Sequence, residues 1–113
     1  MPDTHRVLNA AEHVSPLYLG DAASRTLGNS VREVHSTPGA TGDNALVLPG
    51  CGETPLHSCI TVLQHGSVNN TTINDCGAEQ LTLGEITLGN EGDAVTVMNM
   101  GICWGQIWTN VGN

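Results

Sequence analysis

The sequence predicts an all-β protein, a small antiparallel β-sandwich or barrel of jelly-roll type with an extended N-terminal arm. Three observations lead there. From about Asn44 onward, short apolar segments alternate with polar residues and are broken by Gly, Asn and Asp. Only 12% of residues are charged and none is lysine, while Gly, Thr and Asn, which suit turns and solvent-facing strand positions, are abundant. At 113 residues the chain has the size of one domain.

Strands are expected at 44–49, 59–65, 70–74, 81–83, 85–88, 93–98 and 102–109, and this spacing suits a sandwich or barrel. Within them, alternate residues share a face. Ile60, Val62 and Gln64 form one set, Val95 and Val97 another, and Ile102, Trp104, Gln106 and Trp108 a third. Asn99-Met100-Gly101 is the expected turn of a C-terminal hairpin, because Asn and Gly tolerate positive φ. The expected core or subunit-interface residues are Leu46, Leu48, Ile60, Val62, Val95, Val97, Trp104 and Trp108.

The first 43 residues follow a different pattern. Val7, Leu8, Ala11 and Val14 can line one side of a short helix that Pro16 stops. A second helical turn is expected over 21–27, ended by Gly28, and STPGATGD at 36–43 reads as a link. The division is therefore an arm and linker, 1–43, and a strand body, 44–113. A body of about 70 residues supplies little core stability by itself, so association with copies or with a larger surface is expected.

The formal charge is −8, and the only basic residues are Arg6, Arg25 and Arg32. From Asp43 to the end there are seven acids and no Lys or Arg. Nucleic acid is a poor partner for such a surface, because binding needs basic groups that displace counterions from phosphate. No apolar run approaches the roughly 20 residues that span a bilayer, and the first residues lack the pattern of a secretory signal. Synthesis in a cytoplasm and no membrane partner are expected.

Cys51, Cys59, Cys76 and Cys103 are separated by 7, 16 and 26 residues, without a C-x-x-C pair that would prepare a zinc site. Buried thiols are one reading and a disulfide the other, with Cys51 and Cys59 nearest in sequence; the spacing leaves the three possible pairings open.

No catalytic residue, metal or cofactor is expected. His57-Ser58-Cys59 places reactive types together, but neighbours along a strand point to opposite faces. The elbow, metalloprotease and phosphate-loop signatures are missing. Glu91 and Asp93 can be drawn as a glycosidase pair, yet they flank the turn at Gly92. His5, His13, His35, His57 and His65 lack the local spacing of a metal site, although a symmetry axis can gather identical histidines. Asn69-Asn70-Thr71-Thr72 holds two overlapping glycosylation sequons that read as polar strand-edge residues. Trp104, Trp108 and Tyr18 are the only aromatics, which counts against a ring-lined carbohydrate site.

The order of segments in 44–109 resembles a module of phage structural proteins found in fibres and head decorations. The matching pieces are Leu46-Val47-Leu48-Pro49, Ile60-Thr61-Val62-Leu63, Asn70-Thr71-Thr72-Ile73-Asn74, Ile86-Thr87-Leu88, Gly92-Asp93-Ala94-Val95-Thr96-Val97 and Gly101-Ile102-Cys103-Trp104. Trp108 departs from that pattern. The resemblance implies a small β module, usually trimeric, displayed on a virion. Combined with the arm-and-body layout, it leads to a capsid decoration or cement protein on the outer head surface. Its expected partners are major capsid protein and itself, with Arg6, Arg25 and Arg32 pairing with capsid carboxylates. A tail or head fibre adaptor is the runner-up, and a secreted disulfide-linked binding module comes third.

Overall fold

The computed structural model describes residues 16–74, 85–101 and 104–112. They form nine strands: β1 Leu17–Leu19, β2 Ser24–Thr26, β3 Glu33–Ser36, β4 Asn44–Val47, β5 Cys59–Gln64, β6 Thr71–Asn74, β7 Ile86–Leu88, β8 Ala94–Asn99 and β9 Trp104–Asn110. A single 3-10 turn, Cys51–Glu53, is the one helical element among the described residues. The expected all-β class holds.

The pairing differs from the antiparallel expectation. One sheet has the order β1-β3-β5-β8-β9 and the other β2-β4-β6-β7. Within them β1, β3 and β5 are parallel, as are β2, β4 and β6; only β7, β8 and β9 join antiparallel. Each of the first five strands sends the chain to the opposite sheet, so the next strand in the same sheet returns in the same direction. The intervening strand supplies the crossover that a parallel pair needs. Period-2 patterning reports that a strand exists and which face is buried, and it is blind to the direction of the neighbour.

Residues 17–36, expected in an arm, contribute β1, β2 and β3 to these same sheets. The helical turn expected over 21–27 is instead β2, whose Arg25 pairs in register with Leu46. Thr26 is β-branched and favours extended backbone, and β4 offers a ladder that a single helical turn cannot match. The helix expected around Val7–Val14 and the strand expected at 81–83 lie outside the described residues.

Three two-strand rungs result, β1–β2, β3–β4 and β5–β6, with their corners stacked. Asp21 in the first corner accepts the amides of Gly39 at 2.9 Å, Thr41 at 3.1 Å and Gly42 at 3.4 Å in the second. A Cβ on Gly39 would lie 2.8 Å from Asp21 Cγ, so glycine makes this approach possible. The third corner follows suit: Asn69 Nδ2 donates to Gly39 O, and the Asn70 amide to Asp43 Oδ1.

Both sheets feed one core cluster that includes Leu19, Val34, Leu46, Leu48, Ile60, Val62, Ile73, Leu88, Val95, Val97 and Trp104. Near the corners, the core gives way to buried polar groups that bond from sheet to sheet. Ser36 Oγ and Thr71 Oγ1 are 2.7 Å apart, and Asn44 Nδ2 donates to Ser36 Oγ at 2.8 Å. Asn44 Oδ1 in turn accepts the Ala23 amide, so these buried groups are satisfied rather than merely enclosed.

Candidate interaction surface

The C-terminal hairpin sets the character of the molecule's surface. Trp104 is fully buried, and its Nε1 donates to Pro49 O at 2.8 Å. Four residues on, Trp108 is 51% exposed, although strict alternation places both on one side. The register explains the switch: Val97 pairs with Gln106 and Thr96 with Trp108, leaving Ile107 as an extra residue. A bulge of one residue reverses the faces of everything beyond it. The expectation that Trp108 shares the face of Trp104 is thereby corrected.

The consequence is an apolar edge. β9 is the last strand of the five-stranded sheet, and Ile107 and Trp108 along it, with Val111 just after it, are each about half exposed. Residues 104–113 contain no charge and no proline, two of the devices that keep sheet edges from pairing with other chains. The opposite edge, β1, is only three residues long and bears Tyr18, which is well exposed.

The loop beside the hairpin is held from within. Asn99 is completely buried; its Nδ2 lies 2.7 Å from Thr54 Oγ1 and 2.9 Å from Cys51 O, while its Oδ1 accepts the Gly101 amide. This fixes the 3-10 turn against the hairpin. Leu56 and Met100 remain exposed at that end.

On the outer face of the same sheet, three rings form a row. Tyr18 and His35 have centroids 5.1 Å apart, as do His35 and His65. His35 Nδ1 is 2.8 Å from His65 Nε2, and His35 Nε2 is 2.5 Å from Glu33 Oε2. Sequence spacing missed this grouping, because it arises from the parallel pairing of β3 with β5, where Ser36 faces Gln64 and His65 follows.

The other predicted site residues are placed as follows. Leu46, Leu48, Ile60, Val62, Val95 and Val97 are buried. Arg25 is exposed on β2, whereas Arg32 Nη1 donates to Asn29 O and Val31 O, both at 2.9 Å; Arg6 lies outside the described residues. Asp93 is fully buried and accepts the amides of Gly89, Asn90 and Gly112, tying the turn before β8 to the chain end, while Glu91 is exposed. In His57-Ser58-Cys59, the Ser58 hydroxyl donates to Pro55 O at 2.7 Å and His57 takes φ +68° in the bend before β5. Asn69, the first sequon asparagine, uses its side-chain nitrogen on Gly39 O and Gln64 uses its own on Gly66 O and Asn69 O. Cys51 is buried and Cys59 half-buried; Cys76 and Cys103 lie outside the described residues.

A scan against protein-family models finds no match, and a search of curated proteins finds none either.

Proposed function

We propose that this chain is a non-enzymatic structural protein of a bacteriophage particle, a capsid decoration protein that docks on major capsid protein and on copies of itself. Its two sheets pack as a small sandwich, and the working unit is a homotrimer on the outer head surface. The observation that carries this reading is the uncharged β9 edge, with Ile107 and Trp108 on it and Val111 just after it half-exposed. An edge of this kind loses apolar area to solvent contact and gains by pairing with another chain. The segment resemblance to phage head and fibre modules supports the virion setting. Arg25 on β2 is the described arginine best placed to meet a capsid carboxylate.

The fibre or tail adaptor is a second reading, favoured by the stacked parallel rungs. A coil that adds one two-strand rung at a time extends naturally along a stalk.

Cryo-EM of the assembled particle, with the wild-type chain and with Trp108→Lys, separates these readings. Density repeating over the head lattice and lost in the variant is the expected result. Density confined to the tail or one vertex supports the adaptor, and full occupancy by Trp108→Lys removes β9 from the interface. Because β1, β2 and β3 belong to the sheets, an N-terminal truncation for the same assay must stop before Leu17.

A further inference from the structure

The ring cluster on the outer face of the five-stranded sheet is separate from the β9 edge and is built from side chains on adjacent parallel strands. We propose that His35 and His65 bind a divalent transition-metal ion of the imidazole-preferring kind, such as zinc, with Glu33 as the carboxylate that orients His35.

The hydrogen-bond roles lead to this assignment. An ionised carboxylate only accepts, so His35 Nε2, 2.5 Å from Glu33 Oε2, carries a hydrogen. In the neutral ring, His35 Nδ1 then has a lone pair that accepts the Nε2–H of His65 at 2.8 Å. A carboxylate behind a histidine is the arrangement that fixes the tautomer of a metal-binding imidazole and raises its basicity.

The spacing is close to what an ion needs. Two nitrogens bound side by side at about 2.0–2.1 Å from zinc are about 3.0–3.4 Å apart. From 2.8 Å the nitrogens must separate by a few tenths of an ångström, and the rings must turn so that both lone pairs converge on one point. His65 would move its proton from Nε2 to Nδ1, a change of tautomer that releases no net proton from the neutral rings. Tyr18 lies beside His35, tilted 34° to it with ring centroids 5.1 Å apart.

Among the described residues, no group of three or more His, Cys, Asp and Glu could hold a metal ion. The protein's share is therefore two nitrogens, and water completes the shell. Access is available, since His65 is exposed and the Glu33 side chain is half exposed. Borderline divalent ions suit such imidazole and water donors, whereas calcium and magnesium prefer oxygen. A plain hydrogen bond between the two rings is the competing account of the same geometry.

Titration of Zn²⁺ into the full chain, followed through the ¹⁵N shifts of the histidine ring nitrogens, separates the two accounts. Saturable shifts at His35 Nδ1 and His65 Nε2, with His57 unmoved, are the expected result. His35→Ala should abolish the shift of His65. Glu33→Gln, which leaves both ligands and the strands in place, should weaken affinity at this site by about 10–100-fold. Unmoved His35 and His65 nitrogens overturn the proposal, even if zinc binds at the cysteines, as does a Glu33→Gln affinity equal to the wild type.

Discussion

The stacked rungs of residues 17–74 and the β8–β9 hairpin use the same pleated backbone but finish their surfaces in opposite ways. In the rungs, corner amides meet carboxylates or side-chain amides, and inward polar groups such as Ser36, Asn44 and Thr71 bond from one sheet to the other. In the hairpin, a core-anchoring tryptophan is followed by a bulge that turns the rest of the strand outward. The rungs bond most of their inward polar groups from sheet to sheet, Gln64 Oε1 being the buried side-chain atom left without a partner among the described residues, whereas the hairpin leaves Ile107 and Trp108 half-exposed. Both regions feed the same core through Val34, Ile60, Val95 and Trp104, and they differ in what they leave at the surface.

The sharpest way to break this contrast is to treat the two tryptophans alike. Trp104→Ala should lower the stability of the chain by about 3–5 kcal/mol in urea unfolding, through a cavity and the stranded Pro49 carbonyl. Trp108→Ala should change it by about 0.5 kcal/mol or less at concentrations where the chain is dissociated. Comparable losses would show that β9 is packed along its whole length and that no edge is on offer.

A smaller effect probes the corners. The side-chain hydrogen bond from Thr41, joined by the amides of Thr41, Gly39 and Gly42, lowers the Asp21 pKa from its usual value of 3.8, with desolvation opposing. A carboxylate depressed by folding contributes stability that is fully present above the unfolded pKa and is lost as pH falls through the folded value. Amide exchange at Gly39, Thr41 and Gly42 should therefore speed up, relative to its intrinsic rate, only below about pH 3.8. Asp21→Asn should remove that dependence and leave exchange of the β8–β9 amides as it is in the wild-type chain. Exchange altered equally in both regions by Asp21→Asn would contradict an independent corner clasp.

Much of the fold was legible from Asn44 onward, because Ile60, Val62 and Gln64, or Val95 and Val97, recur at every second position, with Thr61 or Thr96 between them, on strands with one buried face. The corners were harder to read. Asp21 and Gly39 are 18 residues apart, and their bond exists only once parallel rungs are stacked. β2 is illegible in the sequence because its three residues are all exposed and carry no apolar alternation. Period-2 patterning places Trp108 on the face of Trp104 because a bulge leaves no mark in it. The His35–His65 pair was invisible for a related reason: it depends on which strands are neighbours, while spacing along the chain tests only local geometry.

Sedimentation equilibrium of the full chain and of Trp108→Lys, over a wide concentration range, tests most directly whether β9 is an assembly edge. Reversible association of the wild-type chain, abolished in a variant with unchanged circular dichroism, is the expected result. A wild-type chain that remains a stable monomer at every concentration contradicts it.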